Sequence, residues 1–428
     1  MAKDLSRGLK AAAQRALFSL EQFGRHEMAN HAAAGAYAFL LSALPALLVV
    51  LYLGSFISRA LAPGSPGALP FILPALDAFG AREILGPVLE RPIGGLAGAF
   101  GLVNLIWAAR LFVVSIQRGI RVIHAGSASM NPVRENALTF AVELIAITAA
   151  VLLLALAQIG RSLIGALGWQ PARAALGLLA GLGLRALPLA VFWLFVFLTY
   201  LGVPPKRPST KHALISSALC VVFYLGLSSL LGLFLSGERY GLLYGILGSL
   251  IAGLIKVYFF FWLYFFFAEL CFTMERYDSL LFTRFHAVDT ADKAPGAIER
   301  RLFAQPQRLF KRYARDYADG EAVFGRGEGG DDAFYLYKGR VGVYLEDPAN
   351  GAEPAAFIEE GQFFGEMASV LKEPRSAWTV AAGTCTVFRL PAALFQSVLR
   401  ADSAAAMKLV GSMAARLAAN NERDRAEP

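Results

Sequence analysis

The sequence has few charged residues and few residues of the kinds that form disulfides or bind metals. Of its 428 residues, 17% are Asp, Glu, Lys or Arg, whereas soluble globular proteins carry about 25%. Its three cysteines follow no pairing or metal-ligand spacing, and two of them, Cys220 and Cys271, lie in apolar runs. We therefore expect neither a disulfide scaffold nor a metal site.

Clustered acid–base groups are also missing. Metal-assisted phosphodiester cleavage needs His, Asp or Glu ligands brought close together, and acidic residues are nearly absent from the apolar stretches. We expect no catalytic residues, no cofactor and no enzymatic activity. The five histidines are scattered along the chain, at His26, His31, His124, His212 and His286.

The sequence is instead rich in hydrophobic residues, many of them in long apolar stretches. Hydrophobic residues make up 56% of the chain, and the mean hydropathy is +0.52. Six stretches approach or exceed the roughly 20 apolar residues that cross a bilayer. They predict an all-α six-helix transmembrane bundle over 33–275, with spans at 33–60, 95–116, 137–160, 176–202, 212–236 and 242–275.

The distribution of charge gives the predicted orientation. Residues from 300 onward carry 17 basic and 17 acidic side chains, so the whole net charge of +8 precedes them. The basic residues concentrate in the N-terminal segment and in alternate loops, which by the positive-inside rule places both termini in the cytoplasm. We expect a multi-pass protein of the bacterial inner (plasma) membrane, in contact with the lipid bilayer and not with nucleic acid.

The segments that flank the bundle are shorter. Residues 1–32 predict a cytoplasmic amphipathic helix with apolar residues from Leu5 to Leu20 at helical spacing, lying on the membrane surface or packed on the protein. Residues 276–300 have the polar composition of a linker. The following 301–318 predict one or two short helices.

The spans resemble the YihY/BrkB family of inner-membrane proteins. The resemblance covers roughly residues 15–275, and it implies a membrane protein for which transport is the expected activity. The similar residues are Ala36, Tyr37, Ser42 and Pro45 in the first span, Trp107 and Arg110 in the second, and the segment ERYGLLYGILGSL near the sixth.

Three ionisable residues in or near the spans are candidates for a polar membrane pathway: Arg110, Glu143 and Lys256. Such groups are costly in a bilayer and are usually functional or paired. The alternatives are internal ion pairs, or side chains that reach the interface from span ends, as Arg110 and Glu269 are placed to do. A potassium filter of the TVGYG type and an arginine-rich voltage sensor are both absent from the sequence.

After residue 320 the pattern changes to alternating apolar residues and glycines, which predict short half-buried strands joined by turns. The most informative segment of this region is FGEMASVLKEPRSAW at 364–378. A glycine turn exposes backbone N–H groups to an anion, and Arg375 offers a fork of donors to a phosphate. Glu366 offers a carboxylate that can accept from a ribose hydroxyl.

Over 302–425 the chain resembles the cyclic-nucleotide-binding β-roll of the catabolite activator type, which implies a β-roll with flanking helices in a predicted domain at 301–428. The resemblance implies that Glu366 holds the ribose and that Arg375 and Ser376 hold the cyclic phosphate. A last helix, similar to a dimerising helix that reaches the base, implies a homo-oligomer as one expectation and favours cAMP over cGMP as regulatory ligand. The implied site residues are Gly365, Glu366, Met367, Ala368, Arg375, Ser376, Ala377, Arg416, Asn420 and Asn421.

The sequence thus predicts a transporter or channel-like pore regulated by a cytosolic cyclic nucleotide. The alternative is a membrane scaffold or lipid-handling protein that carries the same sensor. A third interpretation keeps the β-roll as a folding or docking module whose pocket binds nothing.

Overall fold

The computed structural model describes residues 2–42, 110–124, 189–234, 246–289, 301–303 and 306–401, together with 296, 406, 407 and 411. The chain divides into two compact units. One comprises Met1–Gln14 and Arg276–Pro428, and the other comprises Arg15–Glu275. The predicted spans also end at residue 275, while the predicted division into four segments stays a prediction.

The described helices of the unit Arg15–Glu275, called the membrane unit below, are rich in apolar residues. Two of them, Thr210–Phe234 and Ile251–Glu275, are long and apolar enough to cross a membrane, and Leu189–Gly202 is a shorter apolar helix. The other predicted spans lie wholly or partly outside the described residues, so the six-helix bundle stays a prediction. The helices are α1 (Ala2–Arg25), α2 (28–42), α3 (110–123), α4 (Leu189–Gly202), α5 (Thr210–Phe234) and α6 (Ile246–Glu275).

Aromatic side chains on α6 form the centre of this unit. Phe261, Tyr264 and Phe265 are fully buried. The Tyr200 hydroxyl on α4 donates to the Tyr264 carbonyl at 2.6 Å, and the Tyr264 hydroxyl donates to Thr199 at 2.8 Å. Buried hydroxyls are costly unless they are hydrogen-bonded, so these bonds hold α4 and α6 in a specific register.

Helix α1 forms as predicted, but it buries a different face from the one that the apolar spacing indicated. Phe18 and Phe23 are buried, and Phe23 lies 4.8 Å from Trp262 between ring centroids. Leu9 and Leu20, which belong to the predicted apolar stripe, are 76% and 53% exposed. One face of α1 therefore packs on the protein, because aromatic rings bury more apolar area than leucines do, and the membrane-surface interpretation of the leucine stripe stays a prediction.

The other unit is built around two antiparallel sheets of four strands each. One sheet has the order β1-β8-β3-β6 and the other has the order β2-β7-β4-β5. Apolar side chains from both sheets meet in a core that includes Phe334, Leu336, Val341 and Val387. The strands are β1 (Ala314–Tyr317), β2 (Ala322–Phe324), β3 (Ala333–Lys338), β4 (Val341–Tyr344), β5 (Ala356–Ile358), β6 (Phe363–Phe364), β7 (Trp378–Ala381) and β8 (Cys385–Leu390).

The linker predicted for 276–300 is wrong over its first half, because Tyr277–Asp289 is a helix, α7. Its apolar residues fall three and four positions apart, and Phe282 and Phe285 are almost completely buried. Phe282 packs edge-to-face on Tyr335 at 5.6 Å, and Phe285 lies 5.4 Å from Phe388. The helix is stabilised by the sheet that it covers, so its mixed composition misled the sequence-based prediction.

Short helices precede and follow the strands. As predicted, the segment after 300 is helical at 301–303 and at α8, but strand β1 begins at Ala314, before the predicted helical segment ends. Asp278 at the start of α7 accepts from Arg308 at 2.5 Å and from Arg312 at 2.7 Å. The remaining helices are α8 (Gln307–Tyr313), α9 (Glu366–Leu371) and α10 (Ala392–Ala401).

Candidate functional site

The candidate site lies where strand β6 turns into the short helix α9. Gly365 joins the two with a left-handed backbone, φ 67° and ψ 6°. A Cβ atom at this position would lie 2.8 Å from Arg375 Nη1 and 3.0 Å from the Phe334 ring. Glycine is therefore required twice, once for its backbone conformation and once for the close approach of Arg375.

Arg375 reaches this corner from the loop before β7. It is 6% exposed. Its Nη1 donates to the Gly365 carbonyl, and its Nη2 donates to the Asp332 carbonyl at 2.7 Å. These two contacts use two of the five N–H donors of a guanidinium, so the fork retains donors for a bound anion.

Two aromatic rings support the guanidinium. Its central carbon lies 4.5 Å from the Phe324 ring centroid and 5.3 Å from that of Phe334. The backbone of Arg375 is also held, because its N–H donates to Glu328 and its carbonyl accepts from Gly327. The side chain is thus oriented at both ends, as a site for a charged ligand requires.

The electrostatic surroundings of Arg375 are mixed. Burial lowers the pKa of its guanidinium, while the carboxylates of Asp332, Glu328 and Glu366 act in the opposite direction. An arginine nevertheless stays protonated at any physiological pH. Asp332 is itself bound by Arg389, at 2.6 Å from Nε to Oδ2. The site therefore presents one fixed positive charge within a partly neutralised acidic surround.

The other predicted site residues that the structure describes lie on α9 and in the loop before β7. Glu366, in the first turn of α9, is fully buried, and Ala368 is 5% exposed. Ser376 is exposed, while Met367 and Ala377 are half-buried. The structure thus brings Gly365 and Arg375 into contact, while the roles of the whole set toward a ligand stay predictions. The predicted Arg416, Asn420 and Asn421 lie outside the described residues.

The floor and the rim of the site were not predicted from the sequence. Phe324 and Phe334 are apolar strand residues whose rings lie directly against the guanidinium. Asp332 and Glu328 belong to the glycine-rich turn between β2 and β3, and both contact Arg375 through main-chain carbonyls. Main-chain contacts leave no signature in residue type, so only the fold could identify these two.

Comparison with known families bears on both units. Residues 19–285 match the model of the family described as virulence factor BrkB. The chain belongs to the BrkB family. Residues 314–402 match the cyclic nucleotide-binding domain. Both resemblances drawn from the sequence are thereby confirmed, and the BrkB match extends through most of α7.

Relatives of this BrkB-family protein are similar to it over the β-roll. The cAMP-activated global transcriptional regulator CRP of Salmonella typhimurium is 26% identical over 25% of this chain and 51% of its own length. A cyclic nucleotide-gated potassium channel of Mesorhizobium japonicum is 37% identical over 19% of this chain and 21% of its own length. The chain thus spans about half the length, or less, of these curated relatives.

One solved structure that the chain matches in part is a bacterial regulator. The catabolite activator protein of Thermus thermophilus is 23% identical with a TM-score of 0.25, and the match covers 33% of this chain and 62% of that chain.

The candidate pathway in the membrane unit is only partly described. Arg110 begins the described part of α3 and Lys256 lies on α6, and both are half-buried. Glu143 lies outside the described residues, so a pathway through the three stays a prediction. Glu269 fits the first of the two alternatives given for such residues, an internal pair, because its side chain is fully buried and contacts His26.

Proposed function

We propose that this BrkB-family protein is a transporter or channel-like pore of the bacterial inner membrane whose activity is regulated by a cytosolic cyclic nucleotide, with cAMP favoured. Both termini face the cytoplasm in this proposal, and the chain catalyses no reaction. The membrane family and the cyclic nucleotide-binding domain support the overall design. The buried Arg375–Gly365 corner supports binding, because its donors and its backbone turn suit a cyclic phosphate.

The observation that carries the proposal is the contact between α7 and strand β6, which leads into residues 364–378, called the cassette below. Phe363 stands two residues before Gly365, and its ring lies 5.3 Å from His286 and 6.4 Å from Phe282. All three side chains are buried. A displacement of β6 or α9 on ligand binding would therefore be transmitted to α7 through tight packing.

Helix α7 in turn follows directly after α6, which lies in the membrane in this proposal. Only Arg276 separates its start at Tyr277 from the end of α6 at Glu275. For the nucleotide to regulate the pore, it must bind two states of the chain with different affinity. The short connection provides the covalent route by which an α7 displacement can bias α6.

Binding is tested by calorimetry on the full-length protein in detergent, with cAMP and cGMP titrated separately. We expect Arg375→Lys to weaken cAMP binding about tenfold or more, because lysine keeps the charge and loses the bidentate fork. Arg389→Lys is the matched control, since that arginine also bonds Asp332 but is 54% exposed. Unchanged binding in Arg375→Lys, or an equal loss in the control, would reject the assignment of the cassette.

Regulation is tested in proteoliposomes that hold the full-length protein. Fluxes of K⁺, Na⁺, Cl⁻ and H⁺ are measured with and without cAMP, and labelled lipids report scrambling in parallel. We expect at least one ion flux to change with cAMP in the unmodified protein, and Arg375→Lys to need about tenfold more cAMP, or more, for the same change. Equal flux with and without nucleotide rejects regulation, and lipid movement without ion flux favours the lipid-handling alternative.

A further inference from the structure

The membrane unit contains a buried acid–base pair that the nucleotide cassette does not involve. Glu269 on α6 is fully buried, and its Oε1 lies 2.5 Å from Nδ1 of His26. The two residues are 243 positions apart in the chain. Burying an isolated carboxylate costs several kcal/mol unless a proton or a partner compensates it, and His26 is such a partner.

The backbone at the junction of α1 and α2 places His26 against α6. Glu27 has a positive φ of 52°, which non-glycine residues rarely adopt. Its carboxylate accepts from the Asn30 amide at 3.0 Å. The chain therefore turns between the two helices, and that turn directs the imidazole of His26 inward while part of the ring stays accessible.

The second oxygen of the carboxylate indicates a further small ligand. Within the described part of the chain, neither Glu269 Oε2 nor Thr273 Oγ1 has a hydrogen-bond partner, although both atoms are buried. The two residues are four positions apart on α6, so they share one face of the helix. Buried polar atoms are nearly always satisfied, and a proton with a bridging water would satisfy both.

From this geometry we propose that His26 and Glu269 form a proton-binding site in the membrane unit. The side chain of His26 is 22% exposed, whereas that of Glu269 is not exposed at all. A proton taken up at Nε2, followed by transfer of the Nδ1 proton to Glu269 Oε1, leaves the imidazole neutral in its other tautomer and the carboxylate protonated. Histidine thus passes protons between the exposed edge and the buried acid.

Other ionisable groups occur on the elements that pack around the pair, and the test must distinguish them from it. Those with a defined partner include Glu275, which His212 contacts at 3.0 Å. The side chains concerned are Arg25, Glu27 and His31 around the turn and α2, Arg121 and His124 at the end of α3, and Cys271 and Glu275 on α6.

The direct test is infrared difference spectroscopy on the full-length protein in lipid nanodiscs, between about pH 8 and about pH 5. We expect a band of a protonated carboxylic acid in an apolar environment, which Glu269→Gln removes. Glu275→Gln is the matched control, because that carboxylate also pairs with a histidine but is 40% exposed. A band that survives Glu269→Gln, or that Glu275→Gln removes equally, would overturn the proposal.

A second readout works even if Glu269→Gln fails to fold. Trp262 lies two turns from Glu269 on the same face of α6 and contacts Phe23, so its emission reports on this region. In a variant whose other four tryptophans are phenylalanine, we expect the emission to titrate, and His26→Gln to move the midpoint by about one pH unit or more. An unmoved midpoint contradicts the pairing. Neither experiment needs a nucleotide, so this site stands or falls separately from the proposed regulation.

Discussion

Replacing Gly365 by alanine is the sharpest test of the site's geometry. The left-handed backbone, φ 67°, costs an L-residue about 1–2 kcal/mol. The new methyl group would also lie 2.8 Å from Arg375 Nη1 and 3.0 Å from Phe334, and overpacking of this kind costs about 1–3 kcal/mol. We therefore expect the β-roll to lose about 2–5 kcal/mol of stability, with a displaced guanidinium.

Gly351→Ala separates the two contributions. Gly351 has φ 80°, but a Cβ atom there meets no other atom within 4 Å, so only the backbone cost of about 1–2 kcal/mol applies. Hydrogen exchange of the β-roll in the full-length protein measures both losses, and calorimetry with cAMP measures the effect on binding. Equal losses in the two variants, or full cAMP affinity in Gly365→Ala, would refute the packing argument.

Three further predictions concern the same unit. Burial, with the charge of Asp278 at 3.0 Å, raises the pKa of Tyr313 to about 12. Because the phenol of the unfolded chain ionises near pH 10, we expect the protein to lose stability as the pH rises from about 10 to about 12. Tyr313→Phe should abolish that loss in alkaline unfolding curves. Burial also raises the pKa of the Cys385 thiol, so a maleimide should modify it only after denaturation, and rapid labelling of the native protein would contradict this. Phe285→Ala should destabilise the packing of α7 by about 3–5 kcal/mol. The control Phe357→Ala removes a ring that is 42% exposed and should change the stability little. Comparable rates of proteolysis in the two variants would argue against the packing of α7 on the sheet.

Local chemistry explains why part of the site was predictable. Gly365 and Arg375 are ten residues apart within one short segment, and a glycine turn beside an arginine indicates anion binding from residue type alone. The presence of short strands after residue 320 followed in the same way from alternating apolar residues and glycine turns, whereas their pairing into two sheets did not. The aromatic floor of Phe324 and Phe334 was not predictable, because a ring in a strand has the same pattern whether it faces only the core or also an arginine.

Helix α7 shows how composition can mislead. Its polar residues, with Pro295 and Gly296 after it, indicated a linker, yet Phe282 and Phe285 are almost completely buried. Such a short helix is stable only because a sheet covers its aromatic face. Its role in the proposed regulation therefore depends on a tertiary contact that the sequence does not encode locally.

The sequence by itself indicated a membrane protein of the BrkB family with a domain of the cyclic nucleotide-binding type, because hydropathy and local motifs depend on neighbouring residues only. The tertiary structure decided which side chains meet across long separations. It placed His26 at 2.5 Å from Glu269 and held Arg375 against Asp332 and two aromatic rings. Burial gives these contacts their strength, since removing water raises both the cost of an unpaired charge and the value of its partner.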